Sequence, residues 1–331
     1  MDAVAHYRAV IRALRERDLE PIVTLHHFTN PAWFSRRGGW RRRGSAGLFA
    51  RYVEHVATQL GASVKYWLTI NEPTVYVLQG YVNGEWPPGS TAAWVDAVRA
   101  FRNLARAHRA AYDVLRRTRP GAMVGFAHSA PVIQPCDPTR RRDRWAASVR
   151  DRILNRAFFD LIGVRPRRPP DALDFIGINY YTRNIVRSRG WGLGALAGRA
   201  CALSHHPRHG PASTMGWEAY PAGLLSTLER FSRYGVPLLV TENGVATEDE
   251  AFRSQFLIQH LERLGQALAN GVDVIGYLYW SLIDNFEWAL GTNPRFGLAA
   301  VDFATQARLA RPCVAAFSRV CREHRLPGGP E

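Results

Sequence analysis

The sequence predicts an α/β fold, a (β/α)8 TIM barrel, and three observations carry that expectation. Short apolar runs alternate with amphipathic helical stretches along the 331 residues, the pattern of parallel βα units rather than of hairpins. No phosphate-binding glycine-rich turn follows any of these runs, since Gly192-Leu193-Gly194 lies in a long polar segment, and this favours a barrel over an open dinucleotide-binding sheet. Two glutamates, Glu72 and Glu242, stand just past apolar runs, where the C-terminal ends of barrel strands gather chemistry. At 47% hydrophobic composition the chain can bury a large core, and we read residues 1–331 as a single partial barrel domain.

The strands are expected at 21–28, 66–71, 123–129, 173–180, 237–241 and 274–281, each a run of β-favouring apolar residues bounded by turn formers. Between them, apolar residues recur three or four apart, as in Val4, Tyr7, Ile11 and Leu14, or Leu104, Ala107, Ala111 and Leu115. That spacing puts them on one face of a helix, which the sheet then covers. Residues 187–211, rich in Gly, Arg and His, read as a long loop inside the domain. No internal repeat and no low-complexity linker divides the chain.

Charge and composition remove several function classes. The formal net charge is +15, but nearly all of it is arginine, Lys65 being the single lysine, and the arginines are scattered over helix faces and loops. A solvated basic surface accounts for this, and no nucleic-acid partner is expected because no recognition motif accompanies the charge. Cys136, Cys201, Cys313 and Cys321 fall in no close-spaced metal or redox pattern and are expected to be free thiols. No apolar stretch reaches membrane-spanning length, and Met1-Asp2-Ala3-Val4 opens directly into a helical pattern. A cytoplasmic location and no membrane partner are therefore expected.

The two glutamates sit in related contexts, Leu68-Thr69-Ile70-Asn71-Glu72-Pro73 and Leu239-Val240-Thr241-Glu242-Asn243-Gly244, each with an amide neighbour. A carboxyl pair on two strand ends suits glycosidic hydrolysis. One group gives a proton to the leaving oxygen while the other attacks the sugar or guides water. The pair suffices for the reaction, so no metal and no organic cofactor is expected.

Further segments accompany them in order: Thr24-Leu25-His26-His27-Phe28, Gly177-Ile178-Asn179-Tyr180-Tyr181, the run from Tyr279 through Trp280 to Glu287-Trp288, and Arg295-Phe296-Gly297-Leu298. Together with the glutamate segments they span nearly the whole chain, and in them the sequence resembles the family 1 glycoside hydrolases of the β-glucosidase type. The resemblance implies that Glu72 is the general acid/base and Glu242 the nucleophile. It implies that Asn71 bonds the hydroxyl next to the reacting carbon and that Tyr181 holds Glu242 ionised. By the same resemblance His27, Glu287 and Trp288 bind the remaining hydroxyls, Trp280 is the platform beneath the ring, Phe296 walls the pocket and Asn179 supports it. Strand alternation sends His26 and Tyr180 the other way, into packing.

Glu287 bears on the substrate. In the branch acting on 6-phosphorylated sugars, the resemblance implies a small hydroxyl residue at this position with a lysine nearby, whereas a carboxylate repels phosphate. A small neutral β-glucoside, β-galactoside or β-fucoside is the expected partner. The resemblance also implies two βα units ahead of the helix that opens this chain, one bearing a glutamine and one an arginine. The sheet is therefore expected to be incomplete, with strands three to eight present and little activity in the isolated chain. Two other readings predict different behaviour: an inactive carbohydrate-binding remnant binds sugar without turnover, and a basic nucleic-acid binder shows salt-dependent affinity.

Overall fold

The computed structural model describes residues 2–168, 170–188, 199–201, 210–323 and 325. In chain order the first elements are α1 (Ala3–Arg15), β1 (Ile22–Thr24), α2 (Ala32–Arg36), α3 (Ser45–Leu60), β2 (Tyr66–Asn71), α4 (Pro73–Val77), α5 (Trp94–Thr118) and β3 (Met123–Ser129). There follow β4 (Val132–Pro135), α6 (Arg141–Asn155), α7 (Ala157–Leu161), β5 (Ile176–Asn179), β6 (Arg183–Arg187), β7 (Arg199–Ala200), α8 (Pro221–Phe231) and β8 (Leu238–Glu242). The last are α9 (Glu250–Ala269), β9 (Val274–Tyr277), β10 (Ala299–Val301), β11 (Arg308–Ala310) and α10 (Cys313–Glu323).

One six-stranded sheet has the order β1-β2-β3-β5-β8-β9, so its strands follow one another as they do in the chain. The pairs β1–β2, β2–β3 and β8–β9 are parallel. This is the sheet of a (β/α)8 barrel carrying strands three to eight, as the sequence predicts. Helices lie between the parallel strands in the chain, and strands buried on both faces lose their alternation: Trp67 to Asn71 in β2 and all of β8 are buried.

The chain divides into two compact units. The first comprises Met1–His128, Ala157–Gly177 and Tyr234–Pro237, and the second Ser129–Arg156, Ile178–Arg233 and Leu238–Glu331. In the first, the aromatic layer of Phe126, Phe158 and Phe159 is fully buried, with ring centroids 4.8–5.0 Å apart around Phe126. Gly125 in β3 is there because a Cβ would stand 2.4 Å from the Phe175 carbonyl oxygen. The Arg119 side chain donates to the Ala57 and Thr58 carbonyls at 2.8–3.2 Å, adding a charged donor at the C-terminal end of α3. In the second unit, Asp249 caps α9 by accepting from the Ala251 and Phe252 amides at 2.9 and 3.0 Å. Such a cap stabilises a helix by roughly 1 kcal/mol.

Three strand expectations need trimming. Regular pairing at 21–28 stops at Thr24, although Leu25 and His26 still donate to the Leu68 and Thr69 carbonyls before Phe28 turns the chain at φ 68°. The strand at 173–180 begins only at Ile176, and the one at 274–281 ends at Tyr277. Within 187–211, Arg199–Ala200 form a strand antiparallel to β6, because the backbones of Val186 and Arg187 offer their outer edge. Residues 189–198 and 202–209 of that expected loop lie outside the described residues. The small sheets β4-β6-β7 and β10-β11 carry too few residues for periodicity to announce them. Among the described residues no helix is long and apolar enough to cross a membrane.

Candidate active site

In the first unit, β2 delivers Asn71 and Glu72 at its C-terminal end. The register between β2 and β3 shifts between Leu68 and Asn71, which adds one residue to β2 and turns its end. Glu72 then adopts φ 42°, ψ 59°, a left-handed conformation that costs a side-chain-bearing residue roughly 1–2 kcal/mol. Its amide donates to the Ala127 carbonyl at 2.8 Å, its own carbonyl accepts from Tyr76 at 3.0 Å, and Pro73 starts α4. Pairing on one side and a helix start on the other hold this strained residue in place. Glu72 is buried to 9% exposure and Asn71 to 2%.

His27 belongs to the same group. The Asn71 amide donates to His27 Nε2 at 3.1 Å, so that nitrogen is an acceptor and the ring is neutral. Burial agrees, lowering the His27 pKa to about 4. His26, one residue earlier, is buried with its Nε2 3.2 Å from Asn30 Oδ1, and its ring meets Trp40 and Tyr76 edge-on. Burial lowers its pKa to about 4 as well. It is a packing residue, as alternation along the strand implies.

In the second unit, Glu242 is the last residue of β8 and 8% exposed. The Tyr181 hydroxyl donates to Glu242 Oε2 at 2.7 Å, and the Tyr180 amide donates to the Glu242 carbonyl at 2.8 Å. One step back, the Thr241 hydroxyl donates to Asn179 Oδ1 at 2.6 Å, fixing β5 and β8 in register beside the carboxylate. One step forward, Asn243 is fully buried, donating to the Tyr180 carbonyl at 2.7 Å and accepting from the Tyr277 hydroxyl at 2.7 Å. Gly244 follows because a Cβ there would stand 2.0 Å from the Trp280 carbonyl oxygen. Tyr180 itself is buried, its hydroxyl donating to the Tyr220 carbonyl at 2.6 Å.

Aromatic rings surround Tyr181. Phe296 lies edge-on at 6.1 Å and Trp217 at 5.3 Å, with Trp217 and Phe296 6.3 Å apart. Trp217 escapes sequence reasoning because it sits in an irregular turn without periodicity, pinned by its amide to Ser213 Oγ at 3.2 Å. A tryptophan between glycine and glutamate in a polar stretch was the one available signal. Behind the wall, buried Arg253 donates to the Val245, Thr247 and Arg295 carbonyls, tying the turn after Glu242 to the segment that carries Phe296. Asp284 accepts from the Gly297 amide at 2.8 Å and from Arg311 at 2.9 Å, anchoring the other side of that segment.

Trp280, Glu287 and Trp288 are half-buried in the second unit. Burial raises the Glu287 pKa, with a hydrogen bond from Trp280 acting against it, and Glu287 Oε2 is buried without a hydrogen-bond partner. An orphaned carboxylate oxygen of this kind is an acceptor waiting for a donor such as a hydroxyl. The structure thus brings His27, Asn71 and Glu72 together in one unit. In the other it gathers Asn179, Tyr181, Glu242 and Phe296, with Trp280 contacting Glu287. Among the described residues no group of three or more His, Cys, Asp or Glu could hold a metal ion.

The chain is similar to known proteins in sequence and in fold. The family model described as Glycosyl hydrolase family 1 matches residues 1–167 and 165–326. A beta-galactosidase of Sulfolobus acidocaldarius is 33% identical over 352 aligned positions, covering 98% of this chain and 71% of its own length. The structure of a beta-glycosidase from Pyrococcus horikoshii superposes with a TM-score of 0.89 at 39% identity, over 97% of this chain and 75% of that one. A beta-glucosidase from Thermotoga maritima in complex with glucoimidazole gives 0.88 at 30% identity, over 98% and 78%.

Proposed function

Because the chain belongs to Glycosyl hydrolase family 1, we propose that it is built to hydrolyse terminal, non-phosphorylated β-glycosides with retention of configuration. The observation that carries this reading is the Tyr181 hydroxyl donating to a buried Glu242 carboxylate at the end of a parallel strand. A nucleophilic carboxylate must be ionised and aimed, and a short hydrogen bond from a hydroxyl favours the charged form and fixes its orientation.

In the proposed reaction Glu242 attacks the anomeric carbon while Glu72 gives its proton to the leaving oxygen. The bond to the aglycone breaks and a glycosyl ester forms. Glu72, now a carboxylate, takes a proton from water, which displaces Glu242 and regenerates both groups. Retention requires the two carboxyl groups to work at about 5–5.5 Å. Asn71, held by neutral His27, serves the hydroxyl beside the reacting carbon, a bond that strengthens as charge develops on the sugar. Trp280 supplies an apolar platform, and Glu287 and Trp288 receive the far hydroxyls. An unpaired carboxylate oxygen at Glu287 favours hydroxyl donors and repels phosphate.

The proposed partner is accordingly a small neutral β-glucoside, β-galactoside or β-fucoside. The test is incubation of the full chain with a 2-deoxy-2-fluoro β-glucoside bearing a good leaving group. A mass gain of one fluoroglycosyl group on the peptide containing Glu242 is expected, and because trapping needs a single glycosylation event it is readable even where turnover of the isolated chain is weak. Sugar binding without labelling, when the leaving group is activated, would refute catalysis and leave a binding protein.

A further inference from the structure

Cys136 and Cys201 stand 65 positions apart in sequence, yet their sulfur atoms lie 2.7 Å apart. Their backbones are fixed on the same strand. The Cys136 amide donates to the Val186 carbonyl and the Cys201 amide to the Ile185 carbonyl, both at 2.7 Å. Cys136 follows the last residue of β4 and Cys201 the last residue of β7, so the thiols meet where the sheet β4-β6-β7 ends. Among the described residues β7 is short, its register pairing Val186 with Ala200 and Arg187 with Arg199.

We propose that Cys136 and Cys201 form an internal disulfide that clasps β7 to the end of β4. Closing the sulfurs to bonding distance needs a shift of less than about 1 Å, since an S–S bond is about 2.05 Å long. A cavity of about 350 Å³ opens on Cys136 and is lined by Asp137, Arg140, Asp143 and Arg187. This lining is mixed in charge and suits a small zwitterionic disulfide such as oxidised glutathione, its carboxylates towards Arg140 and Arg187 and its ammonium groups towards Asp137 and Asp143; that disulfide is the oxidant of the proposed step.

One cysteine, as its thiolate, attacks the small disulfide, forming a mixed disulfide and releasing one small thiolate. The second cysteine loses its proton and attacks the mixed disulfide, forming the Cys136–Cys201 bond and releasing the other. Two electrons pass to the oxidant, and the two cysteine protons end on the two released thiolates. In the reduced pair, burial and the hydrogen bond to Cys201 push the Cys136 thiol up to about 11, so it is protonated at neutral pH. The clasp does not depend on the proposed hydrolysis.

The test uses the full chain, treated with oxidised glutathione, alkylated under denaturing conditions and digested for mass spectrometry. The expected result is loss of two hydrogens from the intact mass, one linked peptide joining Cys136 to Cys201, and alkylation of Cys313 and Cys321. Cys136→Ser is expected to stop at a glutathione adduct on Cys201, and the oxidised parent to melt several degrees above its reduced form. Four alkylated cysteines after treatment would overturn the proposal. So would adducts on both residues without a link, or links that pair either of them equally with Cys321.

Discussion

Lowering the pH from 7 towards 4 is expected to unfold this chain, and His260 in α9 shows why. Its ring is fully buried, stacked on Phe256 at 3.8 Å, with Nδ1 donating to the Phe256 carbonyl at 2.7 Å. Nε2 is buried and has no hydrogen-bond partner, so a proton there would be a charge without solvent or acceptor. Burial lowers its pKa from 6.5 to about 4. In that interval the unfolded chain binds the proton and the folded chain does not, so stability rises with pH. The contribution is complete above about pH 6.5 and is lost as pH falls through the window to about 4, amounting to ~3 kcal/mol. His26, His27 and His108 follow the same rule, burial lowering each to about 4. Four such protons give a slope of roughly 5 kcal/mol per pH unit, against a total stability of roughly 5–15 kcal/mol. Urea unfolding followed by tryptophan fluorescence at several pH values measures this slope. His260→Leu should reduce it by about 1.4 kcal/mol per pH unit. Equal slopes in parent and variant would refute the reasoning.

Four further outcomes are expected. Tyr181→Phe removes a bond to a charged acceptor worth about 1.5–3 kcal/mol, so kcat/KM, or the rate of fluorosugar labelling, should fall roughly ten- to hundredfold; a change under twofold would deny the tyrosine its role. Glu72→Ala should abolish hydrolysis of substrates with poor leaving groups while sparing labelling by an activated one, with azide restoring turnover; equal loss on both substrates would remove Glu72 as the acid. Gly244→Ala forces a Cβ against the Trp280 carbonyl and should cost about 1–3 kcal/mol, read as a melting temperature lower by several degrees. Glu287→Gln should narrow the preference for a glucoside over its 6-phosphate, measured as a ratio of kcat/KM; an unchanged ratio would detach Glu287 from the choice.

Much of this arrangement was readable because it rests on local rules. Strand positions 66–71 and 123–129 coincide with β2 and β3, since buried parallel strands are written as short unbroken apolar runs. His27 separated from His26, and Tyr181 from Tyr180, because alternation along an extended chain gives neighbours opposite faces. Trp217 was not readable, as its place beside Tyr181 comes from a turn pinned through Ser213 and no repeat marks it. Nor was the role of Arg253, a guanidinium that looks like surface charge in the sequence yet lies fully buried among three carbonyls.

The alternation of strands and helices, the family, and the two carboxylates with their amide neighbours were all legible in the primary structure. Hydrophobic period and short motifs are properties of adjacent residues. Tertiary structure alone decided that Glu72 takes a left-handed turn, that Tyr181 reaches Glu242 across 61 positions, and that Cys136 meets Cys201 across 65. Such contacts depend on strand register and on how loops return to the sheet, and the free energy fixing them is spread over the whole core rather than written beside the residues that meet.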